Sequence, residues 1–538
     1  MMDARRRAEL ETTARFGPKG AVQADNAMVV TSHPLATEAA LEALKRGGNA
    51  CDAALAAAAM QLVVEPHMTA LTGGLSLLYR DAASGRAAYM NGNINAPLAP
   101  LPGYSGRDIH TARGVPVPGW WSGFQAAAGA WGRLGVAALL DPAIAVAREG
   151  FRMNPYLFGL VYGHLEQLGV HEQGREVFWP DGELVGPDGL VRQSRMARTL
   201  ERLRDEGDAY YLGDFAHAFC AECQGAGGVI TPQDFRAYRP MFQRPLEGRY
   251  RRFDLIGSPP PDDGGLMLIE AFNMLERFDI ARMGPPSESF ETLQLLIRAH
   301  NAVYYAPPRQ GDLDTAPAEI GILLSKAYAE QRLTLMEMDE PRAAGACPTP
   351  GTIHISVVDA AGNCASLTHS HMASPWVNGL FAEGFQLSGG GSFFQRILPQ
   401  PGARATVYLA PMIVLDQGRP VIVAGSPSVS LVACTLQNLV NLMDFGMTVE
   451  QSVSQPRFGA RPHSPDLGWL PGTTLEADFP PAVRSAFLDW TGRRRLWSRI
   501  VQPRCTLTGN FEAVARDLKS GRLSSAADPR RVGAAAGY

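Results

Sequence analysis

The apolar positions change their spacing several times along the chain, and each change marks an element. Ala27-Met28-Val29-Val30-Thr31-Ser32 is a short, nearly continuous apolar run, which predicts a buried strand, and from Ala36 to Lys45 the spacing turns helical. Gly47-Gly48-Asn49 stops that helix. Asp52 is expected to cap the Ala-rich helix that begins at Ala53, its carboxylate accepting first-turn amides. Leu71-Thr72-Gly73-Gly74-Leu75 leads into an alternating strand, Ser76 to Arg80; a turn at Ala82 to Gly85 and a return strand from Ala87 to Met90 complete a hairpin. From about Trp120 to Leu335 the pattern is mostly helical with Pro and Gly punctuation, interrupted by one expected strand at Arg249 to Ile256.

Near residue 350 the character changes. Ala344-Gly345-Ala346-Cys347-Pro348-Thr349-Pro350-Gly351 reads as a mobile stretch and empties directly into a strand whose first residue is a threonine. Strands are predicted at Thr352–Val358, Cys364–Ser370, Met412–Asp416 and Pro420–Ala424, with a helix at Ser430–Asp444. The last forty or so residues, rich in Arg, Ser and Ala, are expected to form a poorly ordered tail. No internal repeat is present that would imply a solenoid.

Composition narrows the classes. With 538 residues, 46% hydrophobic and 19% charged, the chain can bury a large core. A net charge of −4 supplies no basic field for phosphates, so no nucleic-acid partner is expected. The longest apolar stretch, Ala53 to Val64, is too short to span a bilayer, and the polar first twenty residues lack the apolar core of a secretory signal. Cytoplasmic residence without a membrane partner is the expectation. Seven scattered cysteines argue against a disulfide framework; Cys220 and Cys223 have CxxC spacing but no second pair, and read as ordinary reduced thiols.

The chemistry centres on the boundary. A threonine hydroxyl is a weak nucleophile until a base takes its proton, and one economical base is the residue's own α-amine. Freeing that amine requires a cut between Gly351 and Thr352, which the same hydroxyl performs if it attacks the Gly351 carbonyl. A residue without Cβ at 351 permits the backbone geometry this needs. Composition alone leaves a buried strand threonine as the plainer reading.

Several motifs change that balance. Thr352-Ile353-His354-Ile355-Ser356-Val357-Val358-Asp359 with Gly362-Asn363 resembles the start of the small subunit in the γ-glutamyltranspeptidase family, in which the first threonine is the nucleophile. Gly47-Gly48-Asn49-Ala50 with Asp52-Ala53-Ala54, Val117-Pro118-Gly119, Pro142-Ala143-Ile144, Glu149-Gly150-Phe151, Gly227-Gly228-Val229-Ile230-Thr231, Ser258-Pro259-Pro260-Pro261 with Gly264-Gly265, Gly425-Ser426-Pro427 and Pro456-Arg457-Phe458 resemble further landmarks in the same order. The resemblance implies an α/β (α+β) fold, the four-layer αββα sandwich of N-terminal-nucleophile hydrolases. It would be built from a large-subunit region, 1–351, and a small-subunit region, 352–538, which stay together as a heterodimer of the chain's own fragments. By position it also implies that Ser370 hydrogen-bonds the nucleophile and that backbone amides at Ser428 and Val429 hold the oxyanion, although the family has a glycine pair there.

The recognition end departs from the family. Its arginine for the substrate α-carboxylate is matched by Asn93, which cannot make a bidentate charged pair, and the segment that would meet the α-amine, Phe385 to Phe393, holds no carboxylate. Met372 replaces an asparagine, and Val407 and Tyr408 replace a serine pair. The expected pocket is therefore more apolar, with Tyr408, Phe393, Trp376 and Met372 as walls. His369 and His371 project to one face of their strand and Ser370 to the other. With His354 they are candidate substrate contacts or metal ligands; the resembled family needs no metal, so neither metal nor cofactor is expected.

These expectations add up to a self-processing N-terminal-threonine hydrolase acting on a small non-glutamyl acyl compound. They include C–C bond hydrolysis in the making of alkyl-proline antibiotics, as in some relatives. The alternatives are a genuine γ-glutamyl hydrolase or transpeptidase, an oxamate-type small-amide hydrolase, and a non-catalytic binding relative.

Overall fold

The computed structural model describes residues 4–306, 316–337, 351–462 and 471–538. Fourteen of its strands form two sheets of seven, and the rest form small two- and three-stranded sheets. Before residue 352 come β1 (Val22–Ala24), β2 (Met28–Thr31), β3 (Gly74–Arg80), β4 (Ala87–Gly92), β5 (Met241–Gln243), β6 (Leu246–Tyr250) and β7 (Phe253–Gly257). After it come β8 (Ile353–Val358), β9 (Cys364–Ser370), β10 (Met412–Asp416), β11 (Arg419–Gly425), β12 (Glu512–Arg516), β13 (Leu523–Ser525) and β14 (Ala534–Gly537). One sheet runs β14-β2-β8-β9-β3-β4-β5 and the other β1-β13-β12-β11-β10-β7-β6, every pair antiparallel. Each sheet thus draws strands from both sides of the 351/352 boundary.

The central strands β2, β8, β9 and β3 are buried along their whole length. They must be, because the first sheet is covered on both faces. Its outer face carries the Ala-rich helix Ala50–Val64, which packs on β8 and β9, and its small side chains allow close approach. The second sheet is covered by Gly264–Leu275 over β6 and β7 and by Leu431–Met443 over β11. The layers are helix, sheet, sheet, helix, as the resemblance implied.

Between the sheets the filling is graded. Val358, Cys364, Leu78, Ile413 and Val423 make an apolar cluster at one end of the strands. Toward the other end it becomes polar: Ser356 donates to the Glu512 carbonyl at 2.9 Å and Ser366 to the Ala424 carbonyl at 3.1 Å. The register pairs Ile353 with His369 and Gly74 with Ser370, so the start of β8 and the ends of β9 meet at that polar end.

Two of the sequence motifs meet in space: the Asp359 carboxylate accepts the Ala50 amide at 2.9 Å and the Asn363 amide at 2.9 Å. The helix cap differs from expectation. Asn49 is the N-cap, its side chain accepting the Cys51 and Asp52 amides, while Asp52 sits three residues on and accepts back from the Asn49 amide in a capping box. The strand expected at Arg249 to Ile256 is two strands, β6 and β7, turned back at Arg251, whose φ of +54° is left-handed. Cys220 and Cys223 lie buried on the helix Ala216–Gly225, with the Cys223 thiol donating to the Ala112 carbonyl at 3.7 Å; six cysteines are described and all are free. Cys347 and the stretch Ala344 to Pro350, expected to be mobile, lie outside the described residues. No helix among the described residues is long and apolar enough to cross a membrane.

The expectation of a disordered tail is overturned. Residues 512–537 supply β12, β13 and β14 to both sheets, and Asp528, Arg530 and Arg531 are each 1% exposed. Arg530 pairs with Glu476 at 2.5 Å and Arg457 with Asp528 at 2.5 Å, every side chain at or below 1% exposure. The Arg, Ser and Ala content looked unstructured because its charges find partners far away in sequence. Removing one partner of such a buried pair strands the other charge, so Arg530→Ala should cost about 3–5 kcal/mol; chemical denaturation of the variant checks this, and an unchanged midpoint contradicts it.

Candidate active site

At the polar end of the sheets the Thr352 hydroxyl, in a residue 7% exposed, donates to Ser370 Oγ at 3.2 Å. Ser370 in turn donates to the Gly351 carbonyl oxygen and accepts the Met372 amide at 2.7 Å. A hydroxyl has one proton to give and two lone pairs. Ser370 uses all three, so its rotor is fixed and it joins Thr352 Oγ1 to the carbonyl that precedes it. Arg531 donates to the Thr352 carbonyl at 3.1 Å from the other side.

Gly351 is required sterically. A Cβ there would fall on the Ala373 carbonyl oxygen and within 2.6 Å of the His371 ring. The chain can enter β8 at this point only without a side chain.

Thr352 and Ser370 open on a narrow cavity, about 270 Å³ of unfilled space when the part continuous with solvent is included, walled by Met372, Phe393, Tyr408, Leu409, Ser428, Val429 and Leu431. No carboxylate, ammonium or guanidinium lines it among the described residues. Phe393 meets Tyr408 at 5.6 Å between ring centroids. Two wall residues have left-handed backbones: Met372 with φ +67° and Ser428 with φ +89°. Such conformations cost about 1–3 kcal/mol and persist only where the surroundings impose them.

The loop before the helix Leu431–Met443 is built for its amides. Ser428 Oγ donates to the Leu507 carbonyl at 2.9 Å and accepts the Ser430 amide at 3.1 Å. Tyr304 donates to the Val429 carbonyl at 2.6 Å and bonds Tyr408 at 3.2 Å. The Ser428 and Val429 N–H groups donate to no protein acceptor among the described residues. They sit at a helix N-terminus, where the dipole favours negative charge. Nearby, Gly264 and Gly265 let the helix Gly264–Leu275 start against the Tyr408 and Leu409 carbonyls, 2.5 Å from where a Cβ at 264 would stand.

The remaining candidates lie outside the cavity lining. Asn93 is fully buried behind Met372, its amide donating to both Asp262 oxygens at 2.8 and 2.6 Å and to Ser76 at 2.8 Å. Its amide nitrogen is spent on a buried carboxylate and the Ser76 hydroxyl. Burial raises the Asp262 pKa.

His354 faces the space between the sheets. Its Nδ1 meets Thr368 at 2.9 Å and its Nε2 meets Ser356 at 3.1 Å, and its ring packs on Gly425 at the root of the loop. His369 faces the helical layer, where Trp120 donates to its Nδ1 at 3.1 Å. Its proton is therefore on Nε2, toward Gln61 Oε1 at 2.8 Å. His371 donates from Nε2 to the His67 carbonyl at 3.0 Å. His354 and His369 stand on opposite faces of the sheet, so the three cannot converge on one ion. Trp376, expected as a wall, packs instead against Phe178 and His164.

Burial lowers the pKa of His33, His354 and His369 to about 3 and of His300 and His371 to about 4. All are neutral at pH 7. Tyr304 and Arg531 escaped the sequence reading: Tyr304 sits in an ordinary amphipathic helix, and Arg531 in the segment taken for a tail.

The family profile described as Gamma-glutamyltranspeptidase matches residues 36–538. The chain belongs to the γ-glutamyltranspeptidase family. Among its relatives, the acylase ACY 1 proenzyme of Pseudomonas sp. (strain SE83) is 31% identical over 498 residues, covering 86% of each chain. The glutathione hydrolase proenzyme of Escherichia coli (strain K12) is 28% identical over 517 residues, covering 86% of this chain and 84% of the relative. The crystal structure of cephalosporin acylase from Bacillus halodurans superposes with a TM-score of 0.82 at 24% identity, covering 97% of both chains, so the two share the αββα fold.

The histidines give this family member a testable acid sensitivity. Their folded pKa values lie below the unfolded value near 6.5, so the unfolded chain takes up protons that the fold refuses. Stability should fall as pH drops below about 6.5 and go on falling until about 3; melting temperatures across pH 4–8 check this, and a flat profile contradicts it.

Proposed function

We propose that this chain is a self-cleaving N-terminal-threonine hydrolase that removes a small uncharged acyl group. The observation that carries the reading is the Ser370 hydroxyl joined at once to Thr352 Oγ1 and to the Gly351 carbonyl. It orients the attacking oxygen and polarises the carbonyl to be attacked. Attack moves the Gly351 acyl group from nitrogen to Thr352 Oγ1. Water then hydrolyses the ester, leaving pieces of 351 and 187 residues and a free Thr352 amine. Both pieces stay in one αββα unit because each sheet interleaves strands from the two.

In the mature enzyme the Thr352 α-amine takes the hydroxyl proton, Oγ1 attacks the substrate carbonyl, and the Ser428 and Val429 amides receive the developing oxyanion. The proton passes to the leaving group and water resolves the ester. None of the buried histidines lines the cavity, which supports the α-amine, with a pKa near 7.7–8.0 in the unperturbed case, as the base. Met372 and Tyr408 are the proposed acyl contacts. Asn93, His354, His369 and His371 are read as supports of the walls.

The uncharged lining supports an acyl group other than glutamyl, whose α-ammonium and α-carboxylate would be buried unpaired. Relatives named acylases favour an amide as the bond cleaved. The same neutral pocket suits a second reading, C–C hydrolysis of a ketone whose carbon leaving group departs as an enol or enamine, as in alkyl-proline antibiotic synthesis. Product analysis separates the two.

Denaturing electrophoresis tests the reading. The wild-type chain should give two fragments, the smaller beginning at Thr352, and Thr352→Ala should remain one uncut chain without acyl-hydrolase activity. A wild-type chain that stays intact, or a Thr352→Ala form that cleaves, contradicts it. Gly351→Ala should slow self-cleavage about 100-fold, the scale of a misplaced reacting atom; cleavage at the wild-type rate in a time course contradicts the fit at 351. Tyr304→Phe frees the Val429 carbonyl and should lower kcat about tenfold with two fragments still formed, as loss of one positioning hydrogen bond predicts.

A further inference from the structure

A cleft at the far end of the sandwich from Thr352 holds about 800 Å³ of unfilled space continuous with solvent. Arg80 stands opposite Cys364 in the register, whereas Gly74 stands opposite Ser370, so a whole strand separates the cleft from the cavity, roughly 20 Å at about 3.3 Å per residue. Arg80 closes β3 of the first sheet; Arg419 opens β11 and Arg516 closes β12 of the second. All three line the cleft, together with the turns at Gly362 and Gly418.

No carboxylate lines this cleft among the described residues. The acidic residues next to it in sequence are engaged elsewhere: Asp81 accepts the Ser84 amide and hydroxyl, Asp416 pairs with Arg252 at 2.9 Å, and Asp517 accepts the Lys519 and Ser520 amides. Two of the three guanidiniums, those of Arg80 and Arg516, are placed rather than loose. Arg80 is 8% exposed and donates to the Gly418 carbonyl at 3.1 Å, across the gap between the sheets. Arg516 lies against the Gly362 turn, 3.6 Å from where a Cβ would stand. The Nε of Arg80 and that of Arg516 are buried with no hydrogen-bond partner in the described residues. Buried donors of this kind are costly unless something accepts from them.

We propose that this cleft is a binding site for a compact multivalent oxyanion, a phosphorylated or polycarboxylate metabolite, clamped between the two sheets by Arg80, Arg419 and Arg516. Arginine forks match such oxygens in pairs and remain charged at every physiological pH. The three like charges repel one another, and an anion with two or more charges removes that repulsion. Because the site ties β3 to β11 and β12, occupancy stabilises the assembled sandwich, as any ligand of the folded state does. It is independent of the acyl cavity and does not rest on the assignment of Thr352.

Titration calorimetry and thermal melting of the whole protein with pyrophosphate and, separately, with citrate test the proposal at low chloride. Saturable binding of at least one probe with a rise in melting temperature is expected, weakening as salt is raised. The better probe names the source of the anion. Arg419→Gln, at an exposed position, and Arg516→Gln should each weaken the binding at least tenfold. Absence of saturable binding by both probes overturns the proposal, as does binding that Arg419→Gln and Arg516→Gln leave unchanged.

Discussion

The antiparallel pairing of β8 with β9 is the constraint on which the site depends. It sets Ile353 opposite His369, which places Thr352 beside Ser370. The approach is close enough that residue 351 has no room for a Cβ beside the Ala373 carbonyl. One hydroxyl with three hydrogen-bonding capacities then links the threonine oxygen, the preceding carbonyl and the start of the cavity wall at Met372. Around that link the second sheet contributes the loop at Ser428 and Val429, and the C-terminal segment contributes Arg531 to the Thr352 carbonyl. Both halves of the chain are needed to build one corner of the sandwich.

In the proposed function, mechanism and specificity occupy different layers of this corner. The polar groups next to Thr352 are hydroxyls and backbone amides, which need no charge to position an oxygen or to receive a developing oxyanion. The histidines behind them are neutral and saturated, fixing β9, the Gly351 approach and the loop root at Gly425. The cavity wall beyond is Met372, Phe393, Tyr408 and Leu409. Tyr304 joins the layers, since its hydroxyl reaches both the wall residue Tyr408 and the loop carbonyl of Val429. A movement of Tyr408 is therefore felt at the Ser428–Val429 loop.

Much of this was legible in the sequence, and what was missed has a physical reason. The buried strands β2, β8, β9 and β3 and the Ala-rich helix announce themselves by apolar runs and by small residues, because local pattern and final burial agree. Thr352, Ser370, Ser428, Val429, Met372 and Tyr408 could be placed together because motif order carries the register. Asn93 could be read as a lost charge, but not as a partner of Asp262, since that contact spans residues far apart in the chain. The same holds for Arg530 and Arg531: a basic segment has no local sign that its charges meet Glu476 and the Thr352 carbonyl. The cap at Asn49 was misassigned because Asp52 belongs to the same box, three residues on, and sequence alone does not say which of the two leads. Trp376 was placed on the cavity by size and position, whereas packing against Phe178 draws it into the helical layer.

The central claim is that the hydroxyl exposed by self-cleavage carries an uncharged acyl group in turnover. Its most direct test is the intact mass of the 187-residue fragment after a rapid acid quench with an acyl-amide substrate. The account predicts a fragment beginning at Thr352 and heavier by one acyl group, with the added mass on Thr352 itself and a γ-glutamyl donor giving none. An adduct on another residue, or a γ-glutamyl adduct formed as readily as the neutral one, would contradict it.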